Sequence, residues 1–60
     1  MQVYVGQFNE KDIYDGKDTQ AVEDAKAKTG LQYTNTKFVK KGGKIVGLKI
    51  WVCDVASFGV

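Results

Sequence analysis

The side chains that could perform covalent or acid–base chemistry are few in this sequence of 60 residues. It contains no histidine and one cysteine, Cys53, so neither a Ser–His nor a Cys–His pair can form. The sequence neighbours of Cys53, Val52 and Asp54, supply no base that would activate a thiol. We therefore expect a protein without enzymatic activity, in which Cys53 is a small apolar side chain.

Carboxylates cluster in the segment NEKDIYDGKD, residues 9–18, where they could in principle bind a metal ion. The spacing D-x-x-D-G-x-D suggests part of a calcium loop. However, aligning Gly16 with the invariant glycine of an EF-hand places Lys11 and Ile13 at the first and third ligand positions. We expect no metal and no cofactor, and a domain of this size has little room for a substrate cleft between two carboxylates.

Lysine supplies all nine basic side chains, and the net charge is +2. Because arginine is the preferred residue for bidentate contacts to phosphate and guanine, its absence argues against a sequence-specific DNA reader. The segment KKGGK, residues 40–44, is shorter than a P-loop and leads into a strand rather than a helix. We interpret it as the tip of a hairpin, where lysines protect the strands against aggregation.

The composition predicts a cytoplasmic protein. A single cysteine cannot form an internal disulfide. Residues 1–8 lack the basic start and the apolar run of a signal peptide. No segment approaches the ~20 apolar residues that span a membrane, so we expect no membrane association.

The first half of the chain predicts two strands, the second of them short, and one helix. Residues 2–8 alternate in polarity, as a half-buried strand does. Residues 13–16, IYDG, are interpreted as a short second strand. Residues 18–30 predict a helix, which Asp18 or Thr19 would cap and a glycine would end.

The second half predicts a hairpin with strands at 31–41 and 44–54, because Gly42-Gly43 is a two-residue turn signal. Strict alternation from that turn pairs Tyr33 with Val52. The predicted fold class is α+β: a small antiparallel sheet of three or four strands, in the order β-(β)-α-β-β, with one helix packed on one face. One domain, 1–60, holds all of it.

The hydrophobic pattern assigns the two faces of this sheet. The face under the helix is predicted to carry Val3, Val5, Leu31, Tyr33, Val39, Val46, Leu48, Ile50 and Val52. The opposite face is predicted to carry four aromatic residues, with two lysines nearby: Tyr4, Phe8, Phe38, Trp51, Lys40 and Lys49. Because contiguous exposed apolar patches usually mark interaction sites, these six residues are the candidate partner-binding residues.

Three interpretations of this aromatic face are open. It could pack against another protein or a second copy of the chain, with tryptophan and tyrosine as anchors. It could instead be a stacking platform for single-stranded nucleic acid, with lysines meeting phosphates. The tail VASFGV, residues 55–60, or the loop 9–17 could also fold over it and make a second small core. The leading hypothesis is a non-enzymatic protein-binding module, a small accessory or inhibitor protein of the type that phages encode against host enzymes or defences.

Overall fold

A computed structural model describes residues 1–55. Its elements follow the order β1 (Gln2–Asn9), α1 (Glu10–Tyr14), α2 (Lys17–Thr29), β2 (Tyr33–Lys41) and β3 (Lys44–Cys53). The three strands form one antiparallel sheet in the order β1-β3-β2, so the last strand lies in the centre. The α+β class predicted from the sequence is confirmed. Neither helix is long and apolar enough to cross a membrane.

A short helix, α1, replaces the second strand predicted at residues 13–16, and that prediction is wrong. The Asn9 side chain accepts a hydrogen bond from the Asp12 backbone N–H at 2.8 Å. The Asp12 carboxylate in turn accepts one from the Asn9 N–H at 3.3 Å. This reciprocal capping box satisfies the first backbone donors of a helix and starts α1 directly at the end of β1.

Helix α2 occupies the predicted segment, but its start differs from the prediction. Its N-cap is Gly16, without a side-chain hydrogen bond, so the capping role expected of Asp18 or Thr19 is wrong. Its end is as predicted: the Gly30 N–H donates to the Lys26 carbonyl oxygen at 2.8 Å. The helix lies against β1 and β3.

The hairpin turn is as predicted, and the register changes beyond it. Gly42 and Gly43 have φ values of 58° and 79°, which suit the type I′ turn that joins twisted strands. Lys40 pairs with Ile45, but Val39 pairs with Gly47, so Val46 is an extra residue in β3. Such a bulge displaces every later pair by one position.

The displaced register corrects several predicted positions. Tyr33 pairs with Cys53 rather than Val52, so Tyr33 and Val39 lie on the face turned away from α2. Val46 itself is exposed. A second bulge in β1, at Val5, separates the pair Tyr4–Trp51 from the pair Gly6–Ile50. A one-residue shift exchanges the two faces, and the bulges therefore move side chains of both edge strands.

The core is small and lies under α2. Ile50 is 4% exposed and Val52 0%, which confirms the predicted burial of these two residues. Within residues 1–55, the third buried apolar residue is Cys53, which lies on the other side of the sheet and whose thiol donates to the Val55 carbonyl oxygen at 3.2 Å. The helix contributes only the half-buried Ala21, Val22 and Ala25 as its apolar stripe. So little buried area makes the domain marginally stable by itself.

An ion pair joins the start of β1 to the end of β3. The Met1 ammonium group donates to the Asp54 carboxylate at 2.8 Å, and the Asp54 N–H donates to the Met1 carbonyl oxygen at 3.3 Å. The hydrogen bond from the ammonium group lowers the pKa of Asp54 below its ordinary value. Both groups are exposed, so the pair aligns the strand ends more than it stabilises the fold.

Gly47 allows the backbones of β1 and β3 to approach closely. A Cβ atom at this position would overlap the carbonyl oxygen of Phe8, which belongs to the backbone and cannot rotate away. At Gly6 a Cβ atom would meet the ring tip of Phe8 at 3.3 Å, and that ring can move.

We therefore expect Gly47→Ala to lower the free energy of unfolding by about 1–3 kcal/mol, as overpacking does. Gly6→Ala is the matched control and should cost clearly less. Urea denaturation of both variants measures the difference. If both substitutions lower the free energy of unfolding equally, the close approach of β1 and β3 at Gly47 does not contribute to the stability of the sheet.

Candidate binding face

The open face is the side of the sheet turned away from α2, and its side chains stand in cross-strand rows. One row holds Tyr4, Trp51 and Asn35, one residue from each strand. The next holds Gln7, Lys49 and Lys37. Two further rows lie at the two ends of the sheet. The row at one end holds Gln2, Cys53 and Tyr33, and the row at the other end holds Asn9, Gly47 and Val39.

An aromatic pair lies at the centre of the open face. The ring centroids of Tyr4 and Trp51 are 5.4 Å apart, and their planes are tilted by 55°. Tilted pairs at this distance attract each other through their quadrupoles. Tyr4 is 53% exposed and Tyr33 49%, while Trp51 is half-buried between its neighbours. The open face thus presents partly exposed aromatic surface.

A pair of like charges lies beside the aromatic pair. Lys37 of β2 is directly opposite Lys49 of β3, and opposed residues share a face. Like charges in this position destabilise a sheet. The three strands contain no carboxylate that could neutralise the two ammonium groups, although they contain five lysines. An anionic group from outside the sheet would relieve the repulsion.

The predicted binding residues divide between the two sides of the sheet. Tyr4, Trp51 and Lys49 lie together on the open face. The remaining three, Phe8, Phe38 and Lys40, lie on the helix side: Phe8 and Phe38 both pair with Leu48, and Lys40 shares a face with Phe38 by alternation. The bulges at Val5 and Val46 cause this division.

Phe38 is 60% exposed even though it lies on the helix side. Helix α2 packs over β1 and β3, and β2 has its extensive contacts with β3 alone. The helix side of β2 is therefore uncovered, with Thr34 and Thr36 exposed beside Phe38.

Sequence reasoning missed Lys37 and Tyr33 as members of the open face. Strict alternation from the turn pairs Lys37 with Leu48, whereas the bulge pairs it with Lys49. Gly47 was the available signal, since a glycine inside a strand often marks a bulge or a close backbone approach. The expectation that the tail covers this face falls mostly on residues 56–60, which lie outside the described residues.

The carboxylates of the acidic segment are not gathered into one cluster in the part of the chain that the structure describes. No group of three Asp, Glu, Cys or His side chains is gathered within residues 1–55. Asp12 instead lies 3.8 Å from the Lys17 ammonium group and caps α1. The Asp12 carboxylate thus has local structural contacts.

Comparisons with known proteins return no match: no family model, no curated protein and no solved structure is similar to the chain. Its function is therefore argued from its own residues.

The fluorescence of Trp51, the chain's sole tryptophan, reports the charge of the open face. Because Lys49 and Lys37 occupy the adjacent row, we expect iodide to quench this fluorescence more steeply than caesium, in both cases relative to neutral acrylamide. Lys49→Glu should reduce the difference, and Lys11→Glu, on α1, should leave it nearly unchanged. Equal quenching by the two ions in the unmodified protein would contradict this electrostatic description.

Proposed function

We propose that this protein is a non-enzymatic protein-binding module that docks a partner carrying acidic groups on its open face. The observation that supports this most strongly is the unneutralised Lys37–Lys49 pair beside the Tyr4–Trp51 pair. Aromatic residues supply contact area and the lysines select an anionic surface. The opposed lysines lower the stability of the sheet, and a carboxylate bound between them would offset that loss.

The small core agrees with a protein that works in a complex. Few side chains are buried in residues 1–55, and one face of the sheet has no layer packed on it among those residues. A partner that binds only the folded form would add to its stability by mass action. Docking would therefore stabilise the fold as well as form the complex.

A different protein fits the open face better than a second copy does. Two copies that meet through this face would bring Lys37 and Lys49 against the same two lysines, without a carboxylate on either sheet. Like-charge contacts across an interface are unfavourable. Self-association is thus the weaker form of the proposal. The mass of the protein in solution distinguishes a self-associated form from a monomer that binds a different protein.

We propose further that it is an accessory or inhibitor protein, of the type that phages encode to modulate host enzymes or defences, and that it acts in the cytoplasm. The support is the combination of small size, absence of a histidine base and a single cysteine without a disulfide partner. Such a protein acts by occupying a surface of a larger molecule.

Two substitutions separate the binding role from the folding role. Trp51→Ala should weaken partner capture by about 2 kcal/mol or more, roughly thirtyfold in affinity, because it removes the central anchor. Ile50→Ala, one residue away on the buried face, should instead lower stability by about 2–5 kcal/mol. Thermal melts and partner capture from a lysate of the cells that make the protein are measured for both.

The melts are recorded at low protein concentration, because the stability of any dimer depends on concentration. We expect opposite effects from the two substitutions. Trp51→Ala should lose partner capture and keep the melting temperature of the unmodified protein, whereas Ile50→Ala should lower the melting temperature. If Trp51→Ala unfolds as readily as Ile50→Ala, Trp51 belongs to the core and the proposal fails.

The second candidate function is binding of single-stranded nucleic acid, which the same aromatic and lysine rows favour. Binding through phosphate contacts weakens steeply as salt rises, because counterions are released. A titration with single-stranded oligonucleotides at low and moderate salt decides between the two. Absence of binding at low salt removes this candidate, and tight, salt-sensitive binding that requires Trp51 would replace the leading proposal.

A further inference from the structure

Strand β2 leaves a long edge of the sheet without a strand partner in residues 1–55. Its nine residues, Tyr33–Lys41, pair with β3 on one side, and no helix packs extensively against it. The backbone N–H and C=O groups along its outer side alternate at the spacing that another strand requires. An exposed edge of this length is a template for strand addition.

The opposite edge of the sheet, formed by β1, is less suited to strand addition. The bulge at Val5 interrupts its regular spacing. Helix α2 also flanks it, across a groove of about 350 Å³ whose lining includes Val3, Val5 and Ala25. Strand β2 contains no extra residue of its own, so its edge remains regular over its whole length.

The charges of β2 specify the chemistry of a strand that could pair with it. Lys37 and Lys41 lie on the open side and Lys40 on the helix side, so both sides of the edge are positive. The chain's carboxylates lie elsewhere: six of the seven are in residues 10–24, and the last is Asp54. A complementary strand would carry acidic side chains on both of its faces.

We infer that β2 accepts an extended acidic segment of a partner protein as a fourth strand of the sheet. This inference rests on the proposed protein-binding function and names the form in which the partner is held. The added strand would satisfy the edge's backbone groups, and its carboxylates would meet Lys37, Lys40 and Lys41. Strand addition would also extend the open face, since the new strand lies beside Lys37.

Two other occupants fit the edge less well. A second copy that pairs its own β2 antiparallel along the full strand places Lys37 opposite its own counterpart and combines three lysines with three. A nucleic acid offers phosphate acceptors to the lysines, but its backbone cannot reproduce the alternating donors and acceptors of a strand. A polypeptide strand satisfies both the backbone and the charge.

The test uses two synthetic peptides of the length of β2, one repeating Glu-Glu-Thr-Thr and one repeating Lys-Lys-Thr-Thr, so that each carries its charges on both faces of the strand. Fluorescence anisotropy should show binding of the glutamate peptide alone. Lys40→Glu should weaken it by about tenfold, because a favourable cross-strand charge pair becomes a repulsive one. Lys28→Glu, on α2, is the matched control and should leave the affinity unchanged.

Amide hydrogen exchange then locates the peptide. Bound peptide should slow exchange in residues 33–41 and leave the amides of β1 unchanged, because strand addition occupies the free groups of β2. Failure of the glutamate peptide to bind, equal binding of the lysine peptide, or slowed exchange in β1 instead of β2 would each overturn the inference.

The position of Lys40 distinguishes this inference from the proposed function. Lys40 lies on the helix side, away from the open face, whereas Trp51 lies on the open face. If Lys40→Glu retains full partner capture while Trp51→Ala loses it, the open face binds the partner without strand addition, and the inference alone is wrong. If both variants retain capture, the proposed function is wrong as well.

Discussion

The contact between helix α2 and the strands β1 and β3 is the constraint on which the rest of the structure depends. The helix offers a thin stripe of small residues, Ala21, Val22 and Ala25, which reaches across two strands and leaves the third uncovered. Ile50 and Val52 are buried because they lie in the central strand beneath that stripe. The uncovered strand, β2, and the entire opposite face become the surfaces that the described part of the chain presents.

Two bulges decide which side chains occupy those surfaces. The extra residue Val46 brings Lys37 opposite Lys49, and the extra residue Val5 brings Gln7 opposite Lys49 and moves Phe8 to the helix side. The resulting rows combine aromatic area with uncompensated positive charge. Each row spans all three strands, so the open face is a property of the assembled sheet rather than of one segment.

The elements that depend on local signals could be predicted from the sequence. The Gly42-Gly43 turn, helix α2 and the burial of Ile50 and Val52 each follow from residues close together in the chain. Helix α1 was missed, although the pair Asn9 and Asp12 has the spacing of a capping box.

The register could not be predicted, because it depends on contacts between distant strands. The bulge at Val46 lies next to Gly47, whose missing side chain admits the Phe8 carbonyl group of β1. Gly47 indicates a bulge or a close approach in this hairpin, but residues 31–54 alone do not identify the strand that approaches it. Alternation therefore identified Tyr4, Trp51 and Lys49 as neighbours, but it misplaced the side chains of β2 beyond the bulge.

Photo-crosslinking most directly tests the claim that the open face binds a protein. A benzophenone side chain replaces Tyr33, on the open face, or Tyr14, on α1, which is 91% exposed and serves as the control. In cells that make the protein, we expect a discrete protein adduct from position 33 and none from position 14. Equal adducts from both positions, or an adduct to nucleic acid from position 33, would contradict it.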